Sequence, residues 1–234
     1  MLKIAGFNRT SLLDWDGRVA AVLYLPGCNF RCPFCHNREL VLEPEKLEEV
    51  PLELVKEFIR ENLDFLDGVV VTGGEPTIHK DLTELIRTLR SLGLGVKLDT
   101  NGSNPDLLQD LIQAGLLDFV AMDIKAPLDS RYEHLVDVKV DVSKLKRSVD
   151  IIMESGVDYE FRTTMVPLLL KPEDYEAMAA YIGTAKKYVL QHFVPRNTID
   201  PNLRILKPLD DSQVKLIVER CKPYVRKIVI RGGP

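Results

Sequence analysis

Seven short apolar runs punctuate this chain, with apolar residues at helical spacing in the segments between them, and nothing else limits its fold as much. The runs are AAVLYL from Ala20, GVVVTG from Gly68, GVKLDT from Gly95, DFVAMDI from Asp118, YEFRTTMV from Tyr159, YVLQHFV from Tyr188 and VRKIVI from Val225. Continuous β-branched runs of this kind suit strands covered on both faces. The segments between them open like helices. Leu82, Leu85, Ile86, Leu89 and Leu92 share one face after the second run. Asn104 stands as an N-cap before Pro105 at the first helical position, with Leu108, Leu111 and Ile112 as the apolar stripe. Pro172, Glu173 and Asp174 begin a further helix with the acidic first turn that the helix dipole favours.

Strand-helix alternation builds right-handed βαβ units around a parallel sheet. About six units fit, fewer than the eight of a closed barrel of roughly 250 residues. The expected fold is therefore α/β, a partial (β/α)6 barrel open on one side, with a doubly wound sheet as the alternative. No Gly/Ser linker, charge block or low-complexity segment divides the chain, so residues 1–234 are expected to form a single domain.

In parallel α/β folds the functional site forms where the carboxyl ends of the strands and their loops converge. The unusual polar clusters all map there. The loop CNFRCPFCHN, from Cys28, follows the first run, and GGEP, Gly73 to Pro76, follows the second. DTNG, Asp99 to Gly102, ends the third, and MDIK, Met122 to Lys125, ends the fourth. Arg162 lies within the fifth run and His192 near the end of the sixth.

Composition narrows the chemistry. The 31 basic and 35 acidic residues are interspersed and leave a net charge of −4, so neither nucleic acid nor an anionic membrane is an expected partner. The start, MLKIAGFNRTSLLDWDG, lacks the apolar centre of a signal peptide, and no apolar run approaches the roughly 20 residues of a membrane span. A cytoplasmic protein is expected. In that reducing compartment close-set cysteines more often mean metal or redox chemistry than a disulfide.

Three of the four cysteines, Cys28, Cys32 and Cys35, stand within eight residues as C-x3-C-x2-C. Structural zinc prefers four closed ligands, commonly as two C-x2-C pairs. Here the nearest fourth ligand, His36, adjoins Cys35 and is poorly placed for the same tetrahedron, so a Cys3His site ranks second. Cys221 shares a helical stripe with Val214, Ile217 and Val218, where a small buried thiol is expected. A four-iron cluster usually takes four cysteines. Three in one loop would secure three irons and leave the fourth open to a substrate or cofactor.

C-x3-C-x2-C with an aromatic, Phe34, before its last cysteine, followed by GGEP after the next strand, resembles the radical S-adenosylmethionine (SAM) enzymes over nearly the whole chain. The resemblance implies a [4Fe-4S] cluster on Cys28, Cys32 and Cys35. Its open iron would be chelated by SAM, whose reduction would release methionine and a 5′-deoxyadenosyl radical. Within that family, the CHN after the last thiol, DTNG, DIK, Arg162 and His192 are similar to the glycyl-radical-enzyme activases. GFNRTSLLDWDGRVAAVLYLPGCNFRC is most similar to the activating protein of anaerobic (class III) ribonucleotide reductase, with Asp16 where that branch has proline. A glycyl radical enzyme as partner follows, together with a low-potential electron donor such as flavodoxin or ferredoxin. Activases with a ferredoxin-like insertion carry extra cysteines before GGEP, and this chain has none between Cys35 and Gly73.

The same resemblance assigns cofactor-binding roles. The carbonyls of Gly73 and Gly74 would accept from the SAM ammonium, with Glu75 adding charge and Pro76 completing the motif; a tight strand-helix turn is the plainer alternative. Asp99, Thr100, Asp123 and Lys125 would lie side by side. Similarity to pyruvate formate-lyase activase extends to a monovalent cation held by the two aspartates and Thr100, against a simple rim salt bridge to Lys125. Arg162 and His192 would help bind SAM or flank the cluster, a structural histidine being the alternative for His192. Asn101 belongs to the cofactor set or only turns the chain with Gly102. His36, His79 and His134 carry no assignment, and the last two are expected to face solvent. An incomplete barrel leaves a lateral opening for a peptide loop, and the short RGGP terminus suggests nothing that covers it. The competing readings are a similarly compact enzyme of small molecules, such as 7-carboxy-7-deazaguanine synthase, and a non-enzymatic iron-sulfur or zinc module.

Overall fold

Residues 2–232 of the computed structural model are described; Gly233 and Pro234, the end of the RGGP terminus, lie outside them. The strands are β1 (Gly6–Ser11), β2 (Ala20–Leu25), β3 (Gly68–Gly73), β4 (Gly95–Thr100), β5 (Phe119–Asp123), β6 (Asp158–Met165), β7 (Tyr188–His192) and β8 (Ile228–Arg231). They form one sheet in the order β1 to β8. β1 runs antiparallel to β2, and every later neighbour is parallel. This is the expected α/β architecture, a curved sheet of the radical SAM type not closed into a barrel. Sequential order removes the doubly wound alternative, which needs a reversal of strand order at a switch point.

The helices are α1 (Arg38–Leu42), α2 (Leu52–Glu61), α3 (Leu82–Ser91), α4 (Pro105–Gln113), α5 (Arg131–Val136), α6 (Val142–Glu154), α7 (Pro172–Tyr181) and α8 (Asp211–Cys221). α3 buries Leu82, Leu85, Ile86 and Leu89, while Leu92 ends it as C-cap. The Asn104 side chain accepts from the Leu107 amide at the head of α4, with Pro105 behind it. In α8, Val214, Ile217 and Cys221 are buried as their spacing predicts. Among the described residues no helix is long and apolar enough to cross a membrane.

Two elements differ from the expectation. β1 was not among the seven runs, because GFNRTS is polar and its middle is exposed, so it lacks the continuous apolar signal of a covered strand. The last strand begins at Ile228 rather than Val225, since Val225 is buried in the turn that precedes it.

The β1–β2 hairpin closes the amino end of the sheet. Trp15 lies against the first residues of β3 and β4; a β-carbon on Gly68 would fall 2.6 Å from its ring, so a glycine there makes room for the indole. Lys97 of β4, fully buried, donates to the Asp14 carbonyl and sits 5.4 Å from the centre of the Phe119 ring. Asp16 meets Lys187 at 2.5 Å and Arg231 at 3.1 Å, and Glu160 takes the same two cations at 2.6 and 2.8 Å. Lys97 and Asp99, and likewise Glu160 and Arg162, stand two apart on their strands, which places each pair on one face. The concave face thus carries a ladder of charge from its floor up to the carboxyl ends.

Candidate functional site

A cavity of about 250 Å³ opens at those carboxyl ends. Its wall contains Cys28, Cys32, Cys35, Gly73, Gly74, Glu75, Asp99, Thr100, Asn101, Asp123, Lys125, Arg162 and His192, all of them candidates from sequence except that Pro76 lies behind it. Thr72, Thr164 and Gln191 also line it and were not among the candidates, and His36 and Asn37 of the CHN motif, left without a cofactor role, line it too. Thr164 had a signal, because it extends the two-residue period of Glu160 and Arg162.

Two buried rings of the cysteine loop, Phe30 and Phe34, line the same cavity, with Phe30 edge-on to Tyr132 at 6.1 Å. Arg31 donates to the carbonyls of Cys28 and Phe30, and the Phe30 amide donates to the Cys28 sulfur at 3.3 Å. Burial pushes the Cys28 thiol up to about 11, Cys32 up to about 12 and Cys35 upward, while the Lys125 ammonium works the other way on all three. Binding a metal group there would expel those protons, and Lys125 is the positive charge that favours the thiolates left behind. Among the described residues no three of His, Cys, Asp and Glu gather as a single metal ion requires.

GGEP acts first as a socket for this loop. Gly73 has φ 126°, and a β-carbon on Gly74 would sit 1.8 Å from the Gly27 carbonyl oxygen. The missing side chains let two backbones meet. The Gly74 amide donates to Leu25 and the Glu75 amide to Gly27, each at 2.9 Å. The Gly73 carbonyl already accepts from the Asn37 amide group at 2.8 Å. His79 is not turned to solvent: its Nε2–H donates to the Pro26 carbonyl at 2.7 Å and fixes the start of the same loop. His134 is exposed, as expected.

Glu75 also differs from its expected role. Its carboxylate is buried and points at protein donors: the Thr77 amide and hydroxyl, the Thr100 hydroxyl at 2.7 Å and the Asn101 amide at 2.6 Å. Burial pushes its pKa up against these donors. Glu75 thereby locks the end of β4 to the turn after β3, and Thr100 is committed to it. Asn101 turns its own oxygen to the Ser103 amide and gives its amide group to Asn29 in the cysteine loop.

Arg162 sits between the two aspartates. Its Nη1 donates to Asp99 at 2.9 Å and its Nε to Asp123 at 2.8 Å, so a guanidinium supplies the counter-charge that the sequence reading gave to a monovalent cation. Burial raises Asp123, but Arg162 and then Lys125 outweigh it and hold the carboxyl at about 2. Burial likewise opposes the Lys125 charge, and Asp123 outweighs it, keeping the ammonium raised. The rim salt bridge to Lys125 is present at 3.5 Å. Asp99 Oδ1 has no hydrogen-bond partner, but the buried Lys97 ammonium lies 3.4 Å from it, so the carboxylate is held by charge from Arg162 on one oxygen and Lys97 on the other.

Beside the cavity the segment after β7 meets the cysteine loop. The His36 Nε2–H donates to the Val194 carbonyl at 2.9 Å, Asn197 donates to the His36 carbonyl and to Glu39, and the Asp200 amide donates to Pro33. The segment after β7 is thereby stitched to the cysteine loop.

Comparison with known proteins adds four findings. The family model of the Radical SAM superfamily matches residues 22–184. A protein of Methanocaldococcus jannaschii that carries the provisional name glycyl-radical enzyme activating enzyme is 32% identical over 235 residues, 97% of this chain and 95% of that one. A 7-carboxy-7-deazaguanine synthase of Thermococcus kodakarensis is 26% identical over 86% of this chain and 79% of its own. Among solved structures, Streptococcus suis SuiB bound to S-adenosylmethionine superposes with a TM-score of 0.68 at 14% identity, over 90% of this chain and 52% of that one, so the chain spans about half its length.

Proposed function

The chain belongs to the radical SAM superfamily, and from that membership we propose that it activates a partner enzyme by generating a glycyl radical on it, the partner being an anaerobic ribonucleotide reductase. Family membership implies SAM and a [4Fe-4S] cluster. The residues present fit that pair: three thiols line one cavity beside a glycine cradle, and the fourth cysteine lies away on α8. In this reading Cys28, Cys32 and Cys35 hold the cluster, which with SAM supplies, on one-electron reduction by a flavodoxin or ferredoxin, the carbon radical that takes hydrogen from a glycine Cα.

The protein's own part is placement and exclusion. Asn37, His79 and the Gly73–Gly74 socket fix the cysteine loop. Phe30 and Phe34 give the cavity an apolar wall beside the thiols. Arg162 bridges Asp99 and Asp123 at the wall, and Lys97 meets Asp99 Oδ1 at 3.4 Å; the two carboxylates would face a donor of the bound ligand, or a monovalent cation beside it. The observation that carries the reading is three cysteines on one cavity wall with no fourth among its lining residues. The near full-length relative with an activase name supports it.

The test is to incubate reduced, reconstituted protein with SAM and the anaerobic ribonucleotide reductase of the same genome under anoxia. A glycyl doublet in electron paramagnetic resonance is the expected result. The Thermococcus relative favours a second reading, a small-molecule substrate; turnover of such a substrate, with no glycyl signal from any partner, would replace the first. About one zinc per chain, with no iron or sulfide, would remove both.

A further inference from the structure

We propose that the loops after β6 and β7 form the docking surface for the protein substrate, and that its occupant is an acidic partner segment bearing apolar side chains. This rests on the activase reading and extends it from the cavity to the rim. β6 and β7 are neighbours, so the segments that leave their carboxyl ends lie side by side.

Two leucine-sized side chains there point into water without the excuse of a loose loop. Leu168 is 86% exposed and adopts φ 68°, a left-handed conformation that disfavours a branched side chain, while Val166 just before it is fully buried. Ile205 is 85% exposed, yet Leu203 in the same turn is buried in the core. Each loop is anchored by one apolar residue and presents another. A strained backbone that holds a leucine outward has no benefit within this chain, whereas a partner that covered it would gain apolar burial.

Charge identifies the occupant. Residues 194–207 contain Arg196, Arg204 and Lys207 against the single acid Asp200, whose Oδ1 accepts from the Asn202 amide. Lys171 adds a further cation in the loop after β6. Among the described residues, Lys171, Arg196 and Lys207 enter no ion pair. Glu39, the acid that meets this segment, is held by Asn197 at 2.7 Å. Unpaired cations around exposed apolar anchors complement an acidic, apolar segment. The surface also adjoins the chemistry, since Val194 and Asn197 hold His36 on the cavity wall.

The experiment compares three double variants of the reconstituted protein against the anaerobic ribonucleotide reductase of the same genome. Leu168→Ala/Ile205→Ala and Arg196→Glu/Lys207→Glu alter the proposed surface. Leu12→Ala/Leu13→Ala alters an equally exposed apolar pair on the β1–β2 hairpin, at the far end of the sheet. Binding by interferometry is expected to weaken about tenfold in each surface variant, with a matching rise in KM for the reductase. The charge variant should also lose salt dependence. Iron content and partner-free SAM cleavage should match wild type in all three, and the hairpin control should bind within about twofold of it. Wild-type binding and KM in both surface variants would overturn the surface and leave the activase reading intact. A wild-type chain that neither binds nor activates the reductase defeats both together.

Discussion

The two ends of the sheet are built from the same strands and the same kinds of residue, yet only one of them has unfinished chemistry. At the amino end a glycine admits Trp15, and Glu160, Asp16, Lys187 and Arg231 satisfy one another. At the carboxyl end a glycine pair admits the cysteine loop, but three cysteine side chains line a cavity that no protein side chain fills. Charged and glycine residues alone therefore do not mark a site. What marks it is polar capacity left over after the fold has been satisfied.

The largest break in this contrast comes from the thiols. Cys32→Ala should reduce iron incorporation and reductive SAM cleavage to background, whereas Cys221→Ala, on the packed stripe of α8, should retain both and cost only the stability of a small core truncation. Iron and sulfide assay with methionine release measures the difference. Loss of the cluster in a folded Cys221→Ala protein would show that the fourth cysteine is a ligand after all.

Glycine substitutions sharpen the same contrast at the level of the backbone. In Gly74→Ala the new carbon would meet a carbonyl 1.8 Å away, and neither backbone can yield without moving the cysteine loop. Iron binding and melting temperature should fall together. In Gly68→Ala the nearest obstacle is the edge of the Trp15 ring, which can shift, so the cost should be about 1–3 kcal/mol with iron binding unchanged. Equal iron loss in both variants would mean that the two ends are not separable.

How far the sequence reaches follows the same division. Strands covered on both faces announce themselves as apolar runs, and the rim followed from their carboxyl ends. Local spacing also located the three thiols. It did not reveal that Glu75 accepts from Thr100 and Asn101, or that Arg162 joins Asp99 to Asp123, because those pairings are set by strand register across 25 to 63 residues of chain. His79 looked solvent-facing from its polar neighbours, and only the fold brings the Pro26 carbonyl to it. The charged ladder was legible in principle: Lys97 with Asp99 and Glu160 with Arg162 repeat at the strand period inside runs otherwise apolar.

A pH titration tests the floor of that ladder. Burial raises the Glu160 carboxyl, but Arg231 and then Lys187 outweigh it and bring it from 4.5 to about 2. A folded value below the unfolded one stabilises the protein above the unfolded pKa, and that stabilisation fades as pH falls toward 2. The shift corresponds to about 3 kcal/mol. Glu160→Gln should therefore be less stable than wild type by about that amount at neutral pH, with the gap narrowing below about pH 4 in denaturant titrations. A gap that stays constant to low pH would assign the loss to packing.

The smallest effect is expected from Asp16, which meets the same two cations as Glu160 from a different dielectric. Its side chain is 52% exposed, whereas that of Glu160 is 1% exposed, so water and salt compete for one carboxylate and not for the other. In Asp16→Asn, Lys187 and Arg231 keep their buried partner, and the cost should be at most about 1 kcal/mol. It should vanish near 1 M salt, where screening acts within about 3 Å, while the Glu160→Gln cost persists. The pair of variants isolates burial because both remove a carboxylate charge facing the same cations. If Asp16→Asn cost as much as Glu160→Gln and resisted salt, exposure would not be what separates the two carboxylates, and the hairpin would shield Asp16 from water as the sheet shields Glu160.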